Sequence, residues 1–187
     1  EHSLETQLPF LQMSLRSFQL VPIMIGILIE DDFDRIAEAI RPLLDEKTLL
    51  VVSSDFTHYG EGYNYVPFRK DVEKNITALD HGAFEKIRAR DFQGLKQYRK
   101  ETGINACGIM PILLLLKLLP DNVSGEILNY DTSGHQNNNF SYSVSYASII
   151  FTKPEETKSG LIIPQEEMRN TEQLFLNTEE KSVLLSL

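Results

Sequence analysis

Apolar residues along the chain change their period several times, and each change marks an element. A short apolar run at 20–28, rich in Ile and Val, predicts a buried strand. Asp31 and Asp32 are then placed to cap a helix whose Phe33, Ile36, Ala37, Ile40, Leu43 and Leu44 fall on one face. A second apolar run, 49–52, stops abruptly at Ser53-Ser54-Asp55. After a loop with Gly60, Gly62 and Pro67, Val72, Ile76, Leu79 and Ala83 recur at helical spacing, and Phe92, Leu95 and Tyr98 predict a shorter helix capped by Asp91. Residues 112–119 are apolar almost all round, the pattern of a buried helix bounded by Pro111 and Pro120. Residues 123–130 and 142–151 read as strands separated by a polar, Asn-rich loop at 131–139. Strands interleaved with helices predict an α/β fold, a layered mixed β-sheet flanked by helices. The sheet is expected to be mixed because the last two strands have no helix between them.

Composition narrows the classes. The chain has 187 residues, of which 42% are hydrophobic and 24% charged, so it can bury a core. Eighteen basic against 27 acidic side chains leave a net charge of −9, which argues against nucleic acid as a partner. No apolar run reaches the roughly 18 residues of a membrane span, since Pro111 and Lys117 break the longest. One cysteine excludes an internal disulfide and predicts a reducing, cytoplasmic setting. The composition shifts at about Thr152, where a charged, Pro-containing segment begins. The chain opens on Glu1-His2 and closes in an apolar, helix-like run at 181–187, with Thr178-Glu179-Glu180 as its cap, so both ends predict an interior piece of something longer.

Three polar clusters could carry chemistry. In Glu1-His2-Ser3-Leu4-Glu5, helical spacing would let a carboxylate orient the imidazole of His2; the alternative is a solvated terminus. Ser53-Ser54-Asp55-Phe56-Thr57-His58 follows a buried strand, and ligands of open α/β sheets bind beyond the carboxyl ends of strands. Asp55 and His58 could be an acid/base pair or metal ligands, or Asp55 could merely cap a turn beside a passive His58. Asn105-Ala106-Cys107-Gly108 leads into the buried helix, so Cys107 would stand at the positive end of a macrodipole. Thiolate is the form that binds metal or attacks carbon, yet a lone cysteine is more often a small buried hydrophobe. His81 reads as a surface or helix-end residue between helical segments, and His135 belongs to the polar loop.

In this order, EHSLETQLPFL, VVSSDFTHYG, ACGIMP, LNYDTSG and SVSYASIIF resemble the Memo family, which includes the AmmeMemoRadiSam system protein B of microbes. The resemblance implies a Memo-like domain over 1–152 that lacks its N-terminal part, a linker at 153–177 and, at 178–187, the start of an AMMECR-type domain in the same polypeptide. It further implies a fold similar to LigB-like class III extradiol dioxygenases. By the same resemblance, His2, Glu5, Asp55 and His58 are catalytic candidates, and Cys107 and His58 are metal ligands for iron or copper, with zinc possible. Two family histidines nearer the N-terminus have no counterpart here, and Gly134-His135 stands where Gly-Asp is more usual. The expected function is a metal-dependent redox protein acting on a small-molecule or peptide ligand. A non-catalytic peptide- or protein-binding adaptor using the same pocket is the alternative. Cys107 as a nucleophile served by His58 and Asp55 is a third reading.

Overall fold

The computed structural model describes residues 2–153 and 181–186. They form two compact units, one of residues 2–53 with 181–186 and one of residues 54–153.

In the first unit, α1 (His2–Ser14) leads into β1 (Phe18–Ile23), α2 (Glu30–Ile40) into a 3-10 turn (Arg41–Leu43), and β2 (Thr48–Val52) follows. A later strand, β6 (Lys181–Ser186), lies between β1 and β2 in a three-stranded parallel sheet. Helical and strand periods meet at Leu15. Leu4, Leu8 and Leu11, spaced three or four apart on α1, pack against it, as do Phe18 and Leu20 of β1 and Leu49 and Val51 of β2. Two neighbouring parallel strands need a crossover longer than a hairpin.

In the second unit, β3 (His58–Gly60) runs into a 3-10 turn (Glu61–Tyr63), followed by α3 (Val72–Arg88), α4 (Phe92–Thr102) and α5 (Ile109–Leu118). β4 (Ser124–Thr132), the short α6 (Ser133–Asn137) and β5 (Tyr142–Thr152) complete it. The sheet is antiparallel with order β3-β5-β4 and a register irregularity between Ile127 and Asn129. Ile76, Asp80, Ala83, Phe84 and Ile87 form the buried stripe of α3. Asp91 caps α4, its carboxylate accepting from Gly94 N–H at 2.7 Å. α5 is buried nearly all round, with Pro111 in its first turn where the missing N–H has no partner to lose.

Several expectations change in detail. Helices and strands mix as expected, but parallel and antiparallel pairing fall into two separate sheets instead of one mixed sheet. The strand expected at 20–28 is Phe18–Ile23, and beyond it Met24, Ile27 and Ile29 are exposed. The cap of α2 comes from Asp32 alone, whose carboxylate reaches back to Ile29 N–H at 3.1 Å, and the helix tightens to 3-10 at Pro42 before reaching Leu44. The run at 181–187, expected to be helical, is a strand over Lys181–Ser186. A short continuous apolar run is what a central parallel strand carries. The polar loop at 131–139 holds a turn of helix, because the Thr132 hydroxyl accepts from His135 N–H. His81 sits within α3, edge-on to Phe84 and Tyr130. Glu1, most of the expected linker and the Thr178–Glu180 cap lie outside the described residues.

Candidate functional site

The segment between β2 and β3 and the segment before α5 are stitched together residue by residue. Cys107 N–H donates to the Asp55 carbonyl at 3.3 Å, and Asp55 N–H donates to Cys107 Sγ at 3.1 Å. Ser54 Oγ donates to the Asp55 carbonyl at 2.7 Å and accepts from Gly108 N–H at 2.9 Å, capping the entry to α5. Asn105 then closes a two-bond clamp on the His58 backbone. Its Oδ1 accepts from His58 N–H at 2.8 Å and its Nδ2 donates to the His58 carbonyl at 2.9 Å. An amide side chain here supplies the pairing that a neighbouring strand would give.

Asp55, His58 and Cys107 therefore share one edge of the second unit. Cys107 is exposed, so the alternative of a small buried hydrophobe does not hold. His58 Nδ1 lies 3.0 Å from the Phe56 carbonyl, which can only accept, so Nδ1 is the donor and, in the neutral ring, Nε2 holds the lone pair. That Nε2 lies 3.8 Å from Asp55 Oδ2. A Cys–His–Asp relay needs one ring nitrogen on the carboxylate and the other on sulfur. With Nδ1 on the Phe56 carbonyl only Nε2 remains, so in this geometry the His58 ring does not bridge Asp55 and Cys107.

Register places aromatic rings beside this edge. His58 pairs with Val144, so its side chain emerges on the face that carries Tyr142 and Tyr146. Tyr63 stacks on Tyr142 with ring centroids 4.4 Å apart and meets the His58 ring edge-on at 5.1 Å. Burial, a hydrogen bond with Tyr142 and the charge of Asp55 push the Tyr63 phenol up to about 12. Burial and Asp55 raise the Tyr146 phenol as well. Two glycines make room for this stack. A Cβ on Gly62 would lie 3.1 Å from the Tyr142 ring, and Gly60, at φ +136°, would drive one to 2.8 Å from the Ser141 carbonyl.

Behind the edge sits a fully buried carboxyl. Asp80 accepts from Thr57 N–H at 3.2 Å, Thr57 O–H at 2.6 Å and Tyr130 O–H at 2.8 Å. Burial raises its pKa above the usual 3.8 against the opposing effect of those bonds. Thr57 is further held by its carbonyl, which accepts from Ser145 N–H at 3.0 Å. Asp80 was visible in the sequence as an acid on the apolar stripe of a helix, four residues after Ile76. The signal for Tyr63 was fainter, a tyrosine directly after Gly60-Glu61-Gly62.

The remaining candidates lie elsewhere. His2 and Glu5 belong to the first unit, where Nδ1 and Oε2 are 3.0 Å apart on the exposed first turn of α1, the orientation their spacing predicts. His135 pairs with Asp131 at 3.2 Å. Thiol, imidazole and carboxylate are donor types that iron, copper and zinc accept. Yet among the described residues no three His, Cys, Asp or Glu side chains converge closely enough to hold an ion, so these residues alone do not fit a complete metal centre.

The edge lies within residues 1–150, which a family model for Memo-like proteins matches. The chain belongs to the Memo family. A MEMO1 family protein of Thermococcus onnurineus is 31% identical over 165 residues, covering 82% of this chain and 57% of that protein. A MEMO1 family protein of Sulfolobus acidocaldarius is 35% identical over 158 residues, covering 81% and 51% respectively. The protein memo-1 homolog of Caenorhabditis elegans is 30% identical over 169 residues, covering 82% and 48%. The chain thus spans about half the length of the curated Memo relatives it matches. The AMMECR-type continuation expected at 178–187 lies beyond the Memo match. Among the described residues no helix is long and apolar enough to cross a membrane.

Proposed function

We propose that this chain carries one edge of a Memo-type redox site, the edge where Cys107, Asp55 and His58 meet. The reciprocal hydrogen bonding of Asp55 and Cys107 carries the reading, because it holds an exposed sulfur, a carboxylate and the neighbouring imidazole in a fixed relation. Iron or copper, with zinc as a further candidate, is the cofactor expected of a protein similar to class III dioxygenases. The described residues do not complete such a centre, and no chemical step is derived through it. What they can do is handle a proton. His58 Nε2 offers a lone pair at the edge, and the Asp55 carboxylate beside it stabilises the imidazolium formed on accepting a proton. Cys107 and His58 are the proposed ligands, and His2 with Glu5 forms a second acid/base pair. The substrate class is a small molecule or peptide, with an AMMECR-type domain as a partner within the same polypeptide.

The test is metal analysis after loading with ferrous iron, cuprous copper or zinc, comparing the wild type with Cys107→Ser. Loss of metal in the variant supports the ligand role, and equal content in both sinks it.

One observation favours a second reading, a peptide-binding adaptor without turnover. Tyr142 and Tyr146, on one face of β5 with His58, expose 54% and 42% of their surface, an arrangement suited to recognition. Oxygen consumption with reductants and catechol-like substrates supports the redox reading. Silence there, beside measurable peptide binding, supports the adaptor.

A further inference from the structure

The tyrosines and Asp55 have a property that neither proton handling nor metal ligation uses. Tyr142 and Tyr146 lie two positions of the same β5 face apart, with His58 emerging between them opposite Val144. Tyr63 is stacked on Tyr142, and Gly60 and Gly62 lack the side chains that would push the Tyr142 ring away. The Asp55 carboxylate, 46% exposed, stands 3.8 Å from the His58 ring, and its charge reaches the phenols of both Tyr63 and Tyr146.

Aromatic faces are negative and attract cations, most strongly where solvent is partly excluded. A carboxylate beside such rings adds a full negative charge to those partial ones. These groups offer no long-range attraction to anions, since the whole chain carries −9. Acid plus aromatic surface is selective for a charge spread over carbon or a planar group, which sheds water more readily than a small inorganic ion.

We propose that Asp55, Tyr63, Tyr142 and Tyr146 form a recognition site for an organic cation, an alkylammonium or guanidinium group. This names the ligand class for the edge described under the proposed function and rests on Asp55 acting there. The group could belong to a free amine or to a lysine or arginine side chain of a peptide, and the same titration separates the two. Metal content of Cys107→Ser and cation binding fail independently, because Cys107 takes no part in this site.

The experiment is an NMR titration of the wild-type chain, following tyrosine ring signals. The probes are tetramethylammonium, a neutral compound of similar shape (neopentyl alcohol), and blocked arginine and lysine dipeptides. The expected result is saturable shifts of the Tyr63, Tyr142 and Tyr146 rings with tetramethylammonium and none with the neutral alcohol. Asp55→Asn and Tyr146→Leu should each weaken binding about five-fold, the scale of one partly exposed cation–π or ion contact. Tighter binding of the dipeptides than of tetramethylammonium assigns the source to a peptide, and the reverse assigns it to a free amine. Equal binding of the neutral alcohol, or no shift with any cation, overturns the proposal. That comparison uses only the wild type and stands even if a variant fails to fold.

Discussion

Replacing Asp80 by alanine removes the acceptor of three donors at once, the Thr57 N–H and O–H and the Tyr130 O–H. Each buried donor left unpaired costs about 1–1.5 kcal/mol, so the loss should be about 3–5 kcal/mol. That is a large part of the roughly 5–15 kcal/mol that holds a domain folded. Asp80→Asn should cost less, about 1–2 kcal/mol, because it keeps an acceptor for Thr57 and the Tyr130 hydroxyl can turn to accept from the new amide. The asparagine variant also isolates the titration. The Asp80 pKa is raised in the folded state above 3.8, so the folded protein holds this proton more tightly than the unfolded chain does. The stability this contributes is fully present below pH 3.8 and is lost as pH rises through the folded-state value. Asp80→Asn has no such dependence. The gap in stability between wild type and Asp80→Asn should therefore be widest in acid and narrow as pH rises. Urea unfolding followed by the fluorescence of the 7 tyrosines, in a chain with 0 tryptophans, measures both. An alanine variant within about 1 kcal/mol of wild type would refute the counting of donors. A gap that widens with pH would refute the sign.

Asn105→Ala should cost about 2–4 kcal/mol by urea unfolding, since both backbone groups of His58 lose their partner; a loss below about 1 kcal/mol would mean that water replaces the clamp. Gly60→Ala should lower stability by about 1–3 kcal/mol, because φ +136° and the Ser141 carbonyl at 2.8 Å leave a Cβ no room, and an unchanged melting temperature would contradict it.

Much of the second unit was legible because its signals are local. The all-round apolar residues of α5, the Asp91 cap of α4 and the alternation of β5 each depend on neighbours within a few positions. The end of β1 was not legible, because Met24, Ile27 and Ile29 continue its apolar character although they are exposed. The strand at Lys181–Ser186 reads locally as helix or strand, and a partner far away in sequence decides it. At the site, Asp55, His58 and Cys107 stood out as polar residues interrupting apolar runs. Asn105 and Tyr63 did not, because their roles come from a backbone 47 residues away and from a ring on β5. The relation of Asp55 to Cys107 was equally out of reach, as hydrogen bonds between residues 52 apart have no periodicity to betray them.

The antiparallel pairing of His58 with Val144 has a consequence for how this edge comes into being during synthesis. A ribosome adding about 5–20 residues per second finishes the Asp55–His58 segment many seconds before the strand that must lie beside it emerges. Closing so long a loop is slow and entropically unfavourable until the contacts at its end are made. The edge is thus among the last parts of its unit to mature. A chain that stops before β5 would keep Asp55, His58 and Cys107 intact as chemical groups and still have no edge on which to use them.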